Sequence, residues 1–145
     1  MQVYIVDGSA APPQRHSDDA AGYDLRSAEE TVLDGKAITQ CLVDTGVHVA
    51  IPRGHFGLVK SRSSMALRGV EVGAGVIDSD YRGPIRVKLF TTKALEEPIL
   101  IKRGDRIAQL IIIPCASPTI RRVSNVADLG HTGRGAGGFG STGDV

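Results

Sequence analysis

Residues 3–6, 37–43, 47–51, 56–60, 85–90, 99–101 and 107–113 are short runs rich in β-branched side chains, each closed by Gly, Pro or Asp. Punctuation at such intervals leaves no room for long helices. Pro52-Arg53-Gly54 and Lys102-Arg103-Gly104-Asp105 read as tight turns, and the one helix candidate is a turn or two from Ser64 through Arg68, stopped by Gly69. The pattern predicts an all-β sandwich or barrel with one short helix.

Of the 145 residues, 41% are apolar and 23% charged, which supports a single core. A net charge of +1 lacks the basic excess that nonspecific nucleic-acid binding uses. The start, MQVYIVDGSA, has no basic segment leading into a long apolar run, and no stretch reaches membrane-span length. These features predict a soluble, unexported protein of the cytoplasm or another intracellular compartment, nucleus and organelles included. Cys41 and Cys115 lie far apart without metal-ligand spacing, so buried reduced thiols are expected. Residues 1–129 read as one β domain. Residues 130–145 hold seven of the eighteen glycines and little that can enter a core, so they read as a flexible C-terminal arm. That arm carries Arg134, Phe139, Ser141 and Thr142, parts suited to gripping phosphate and covering a ring, although composition alone also fits a plain terminus.

Between Gly75 and Gly83 the chain reads GVIDSDYRG. Val76 and Ile77 lead in, and Ile85, Val87 and Leu89 lead out between polar Arg86 and Lys88, which predicts two paired strands joined by a short loop. Asp78 then sits where a strand ends, near the flat face of Tyr81. It is either an acid aimed at a ligand or, like Asp80, a turn former. In SRSSMAL (61–67), Arg62 stands at the helix entry with Ser63 or Ser64 as N-cap, where free N–H groups favour anions. Alternation puts Gln109 on the face of Ile107, Ile111 and Ile113, where its amide needs a partner in a neighbouring strand or in a ligand. Asp24, inside the apolar AGYDL (21–25), needs a paired cation, hydrogen bonds or a metal. His16, His48, His55 and His131 lack metal-site spacing, which predicts surface or turn roles.

Taken in order, AGYDL, SRSSMAL, GAGVIDSDYRG (73–83), RGDRIAQLI (103–111) and RGAGGFGSTG (134–143) resemble the five motifs of the trimeric dUTPases across nearly the whole chain. The resemblance implies a jelly-roll homotrimer, each site shared by three chains, that hydrolyses dUTP to dUMP and pyrophosphate with Mg2+. Such a reaction lowers dUTP and supplies dUMP for dTTP synthesis. By position, Asp78 looks like the acid that orients and deprotonates the water attacking the α-phosphorus. Tyr81 would lie under the deoxyribose and leave no room for a 2′-hydroxyl, while the backbone at Gly75, Val76, Ile77 and Arg86 would read the uracil edge. Arg62, Ser63, Ser64 and Gln109 resemble phosphate-binding positions, and Asp24 a supporting acid. In the arm, Arg134, Ser141 and Thr142 would hold the γ-phosphate end, Phe139 would stack on uracil, and Gly140 belongs to the same substrate-binding stretch. Mg2+ would be held mainly by the phosphates, with no direct protein ligand.

Ser61 and Ser64 depart from the family's usual Pro-Arg-Ser-Gly, and Ser64 adds a Cβ where a glycine lets phosphate approach the backbone. Arg-Ser-Ser also resembles the dCTP deaminases, which share the fold and use a glutamate on the following strand to move protons at the base. Its place here is Lys88, and no acid occurs from 85 to 93, which ranks deamination below hydrolysis. A third reading is a non-catalytic nucleotide-sensing interaction protein. The expected partners are dUTP and further copies of the chain, with no nucleic acid and no membrane.

Overall fold

The computed structural model describes residues 1–6 and 11–137. Six strands precede a short helix: β1 (Gln2–Ile5), β2 (Gly22–Arg26), β3 (Thr31–Leu33), β4 (Gln40–Asp44), β5 (Val47–Ala50) and β6 (His55–Lys60), then α1 (Ser63–Leu67). Five follow it: β7 (Val70–Gly73), β8 (Val76–Ile77), β9 (Arg86–Thr91), β10 (Ile99–Ile101) and β11 (Arg106–Pro114). A 3-10 turn at Val126–Leu129 comes last. The strands pair antiparallel in the orders β2-β11-β6-β8, β4-β9-β7, β1-β5 and β10-β3, a jelly-roll-like β-sandwich. Alternation turns Leu25, Val43, Val59, Val87, Leu89 and Leu110 inward, where they join Leu33, Val47, Val70, Ile85 and Ile107 in one core. Each such aliphatic side chain contributes about 1.5–3 kcal/mol when fully buried. No helix among the described residues is long and apolar enough to cross a membrane.

Five local expectations are corrected by the coordinates. The two thiols are not buried: Cys115, just past the end of β11, is exposed and Cys41 is partly so. Val76 and Ile77 do not pair with the strand after the acidic loop. They pair with Leu58 and Gly57 of β6, while β9 is the centre of another sheet, between β4 and β7. The loop from 78 to 84 is therefore a crossover between sheets, not the tip of a hairpin. Strand β4 starts at Gln40 rather than Ala37 because the Asp34 carboxylate accepts the N–H groups of Lys36 and Ile38 at 2.8 and 2.7 Å. These backbone bonds, Lys36 foremost, also hold the Asp34 carboxyl below its usual pKa. The residue before the helix is Arg62, with no side-chain cap, so Ser63 and Ser64 are its first two helical residues rather than N-caps. Finally, a register shift between Arg106 and Ala108 in β11 puts Ile107 into the core beside Ala108. Gln109 shares a face with Ile111 and Ile113, but not with Ile107.

Candidate active site

The β2-β11-β6-β8 sheet builds the first half of the site. Asp24 of β2 and Lys60 of β6 both stand opposite Gln109 of β11, so these three side chains form one row across the sheet, on the face away from Leu25, Val59 and Leu110. Arg62, just past β6, donates from Nε to Asp24 Oδ1 at 3.0 Å, and Arg106 Nη1 donates to Oδ2 at 3.3 Å. One carboxylate thus holds two guanidiniums, and the cluster retains positive charge. Both Asp24 oxygens are engaged, which makes it the organiser of the arginines. Arg62 also reaches the Arg106 carbonyl at 3.4 Å. Gln109 Nε2 donates to the Ser61 carbonyl at 3.1 Å, and its Oε1 lies over Gly22, where a Cβ would come within 2.6 Å. A hollow of about 310 Å³, lined by His16, Gly22, Arg62, Ser63 and Gln109 among others, lies in front of this row. Ser63 lines this hollow, and Ser63 and Ser64 are both exposed at the start of α1, which has no side-chain cap.

The second half forms where the sheets part. Continuing the β7–β9 register, in which Gly73 faces Lys88, would bring Gly75 opposite Arg86. Instead Ala74 takes φ 60° and Gly75 φ 107°, and the chain turns to β6, where the Gly75 carbonyl accepts the Val59 N–H at 2.7 Å. A Cβ on Gly75 would lie 2.5 Å from the Val59 carbonyl oxygen, so only glycine makes this turn. Ala74 in the left-handed region carries roughly 1–3 kcal/mol of strain. The divergence leaves a gap beside β9. Ile85 and Thr91 direct their backbone bonds to the β4–β5 side, toward Val47 and Thr39, so by alternation the N–H and C=O of Arg86 point into the gap. Its side chain reaches elsewhere, to Asp44 at 3.5 Å.

Asp78 follows β8 directly. Its backbone carbonyl accepts the Tyr81 N–H at 3.2 Å, while its carboxylate is exposed and makes no hydrogen bond or ion pair among the described residues. The Tyr81 hydroxyl donates to the Pro84 carbonyl at 3.0 Å, which lays the ring over Gly83, where a Cβ would overlap the phenol. Gly83→Ala is therefore expected to push the Tyr81 ring out of place and break its hydrogen bond to the Pro84 carbonyl, checked in the structure of the variant. Lys88 emerges on the exposed face of β9, opposite Leu42 and Gly73, with Val87 and Leu89 turned to the core. Arg134 is exposed and donates from Nε to the Gly137 carbonyl at 2.9 Å. Phe139, Gly140, Ser141 and Thr142 lie outside the described residues.

Asp24 on β2 and the acidic loop beyond β8 stand at opposite ends of the sheet order, while β6 carries members of both halves, Lys60 and Arg62 at its end and Val59 bonded to Gly75. Three strand spacings separate Asp24 from that loop, about 14 Å. Sequence reasoning identified most of these residues by type but missed Arg106, Gly22 and Gly83. Arg106 was legible only as the unassigned cation of RGDRIAQLI.

A cationic hollow for an anion and a backbone-lined gap for a flat ring, both carried by one antiparallel β domain, define a nucleotide-binding type of site. Residues 9–143 match the dUTPase family model, and the chain belongs to that family. It is 46% identical over 136 residues to the deoxyuridine 5'-triphosphate nucleotidohydrolase of Paramecium bursaria Chlorella virus 1, spanning 93% of this chain and 92% of the viral one. Among solved structures, the Staphylococcus bacteriophage 80alpha dUTPase with dUpNHpp superposes at a TM-score of 0.88 with 28% identity, covering 98% of this chain and 97% of the phage chain. A mutant dUTPase from phage phi11 of S. aureus, whose structure concerns the coordination of a structural Mg(II) ion, matches at a TM-score of 0.77 and 27% identity over 87% and 97% of the two chains.

Proposed function

We propose that this chain is a dUTP diphosphatase, hydrolysing dUTP to dUMP and pyrophosphate by attack of water on the α-phosphorus. The observation that carries the reading is the Asp78 carboxylate, exposed and unpaired among the described residues directly after β8, in a chain matched to the dUTPase family over 9–143. The base is flat and the gap is lined by main-chain donors and acceptors. Such a fixed pattern accepts uracil and leaves cytosine mismatched, which costs far more than a change in apolar shape. Tyr81 lies under the sugar. Arg62, Ser63, Ser64 and Gln109 receive the phosphates, Asp24 holds Arg62 in place, and Asp78 takes the proton of the attacking water.

Among the described residues no three His, Cys, Asp or Glu side chains gather as a metal cage. Mg2+ is the proposed cofactor, with no protein ligand assigned: bound together with the triphosphate it would neutralise charge beside Arg62 and Arg106. The separation of Asp24 from the acidic loop favours a site shared between subunits. So do Ile120, Val126 and Leu129, which are 95%, 83% and 72% exposed in the segment after β11 and so lack covering among the described residues. A homotrimer is the proposed assembly, and light scattering on the intact chain is expected to give three times the monomer mass. Residues 130–145 act as the arm that closes the site.

Incubation with dUTP, UTP, dCTP and dTTP plus Mg2+, with separation of the products, tests the function. Pyrophosphate released from dUTP alone is expected. Ammonia from dCTP would instead assign the deaminase chemistry that Arg62-Ser63-Ser64 also resembles, and tight dUTP binding without turnover would make the chain a nucleotide sensor.

A further inference from the structure

We infer that His48 is a positioning residue for the reaction, holding the loop of Asp78 and Tyr81 against the β domain through the Arg82 carbonyl. The inference rests on the reading of that loop as the site of water and sugar. Between 78 and 84 the loop bonds largely to itself. Tyr81 N–H donates to Asp78 at 3.2 Å, the Arg82 guanidinium donates to the carbonyls of Ser79 and Tyr81, both at 2.8 Å, and the Tyr81 hydroxyl donates to Pro84 at 3.0 Å. These bonds shape the loop without placing it on the domain. The chain at 45–48 does that: the Val47 carbonyl accepts the Ile85 N–H at 2.7 Å, the Thr45 N–H and Oγ1 donate to the Ile85 carbonyl at 3.3 and 2.7 Å, and within the loop proper His48 Nδ1 lies 2.8 Å from the Arg82 carbonyl.

A carbonyl oxygen only accepts, so Nδ1 carries the proton. The neutral Nδ1–H tautomer and the imidazolium both make this bond. Tyr4 fixes the ring from the other side. It stands directly opposite His48 in the β1–β5 pair and meets it edge-on, with ring centroids 5.6 Å apart and planes at 63°. The Arg82 carbonyl adjoins Tyr81 and is four residues past Asp78, so movement there displaces both. Misplacing a reacting group by about 1 Å costs on the order of 10²-fold in rate.

His48→Val keeps a strand-forming side chain and removes the donor, whereas His48→Gln offers an amide N–H to the same carbonyl. His48→Val is expected to lower kcat for dUTP by about tenfold to 10²-fold with a smaller change in KM, and to weaken the preference for dUTP over UTP. His48→Gln is expected to restore both to within about threefold of the parent. A folded His48→Val with unchanged kcat and unchanged preference overturns the inference. If that variant melts early, His48→Gln decides: restored values support the role, and a folded His48→Gln as impaired as His48→Val removes it. Asp78→Asn, assayed alongside, separates this inference from the reading beneath it. Full turnover in Asp78→Asn dismisses the loop as the reacting site, whereas an inert Asp78→Asn beside an unaffected His48→Val dismisses His48 alone.

Discussion

Asp78→Asn is expected to bind a non-hydrolysable dUTP analogue as the parent does and to release pyrophosphate from dUTP about 10²–10⁴-fold more slowly, the usual worth of a positioned base. The amide has the shape of the carboxylate but cannot accept the proton of the attacking water. Folding should survive the change, because the Asp78 side chain is exposed and unpaired among the described residues. The turn it begins is closed by its backbone carbonyl and the Tyr81 N–H. Titration calorimetry paired with a pyrophosphate assay separates binding from turnover. Asp80→Asn is the matched control. Asp80 is equally exposed two residues away, so only the position of the acid differs, and this variant should keep turnover. Equal losses in both would make the effect one of local charge, and undiminished turnover in Asp78→Asn would remove the proposed mechanism.

Ending the chain at Gly130 should leave the oligomer unchanged in light scattering while kcat/KM for dUTP falls about 10²-fold or more. The described part of the removed segment packs on nothing that would be lost from the core: Arg134 is exposed and bonds within its own turn, to Gly137. Its proposed contribution is therefore to the bound nucleotide, through Arg134 and through the residues Phe139, Ser141 and Thr142. Adding back a single Arg134→Ala change in the full-length chain should reproduce a fraction of the loss, since one guanidinium is removed and the ring cover is kept. A truncated protein with full activity would dismiss the arm as a lid.

The strands were legible where their own residues decide them. The periods of β-branched side chains located β5, β6, β10 and β11 to within about two residues, because alternation of a half-buried strand is written in the strand itself. β3 and β7 escaped. Thr31–Leu33 is only three residues long, and Val70–Gly73 runs into a glycine-rich stretch that reads as a loop. The false hairpin had a different cause: neighbours in sequence were assumed to pair, whereas β8 and β9 each satisfied their backbone with distant strands. At the site, chemistry was readable and partnership was not. Asp24 announced that it needed a partner, but Arg62 and Arg106 lie 38 and 82 residues away, and only the sheet register brings them to it. His48 looked like a surface histidine for the same reason, since its acceptor is a carbonyl 34 residues further along.

The parting of the sheets at Ala74 and Gly75 bears on how this protein would meet an inhibitor. A compound seated in the gap beside Arg86 would contact mainly peptide groups, whose carbonyls no codon change replaces and whose N–H groups only proline removes. Escape by substitution would have to alter the path of the main chain, and at Gly75 any added carbon strikes the Val59 carbonyl. Resistance against such a ligand should therefore be drawn toward the arm and the cationic hollow, where the proposed grip is made by side chains that can be exchanged one at a time.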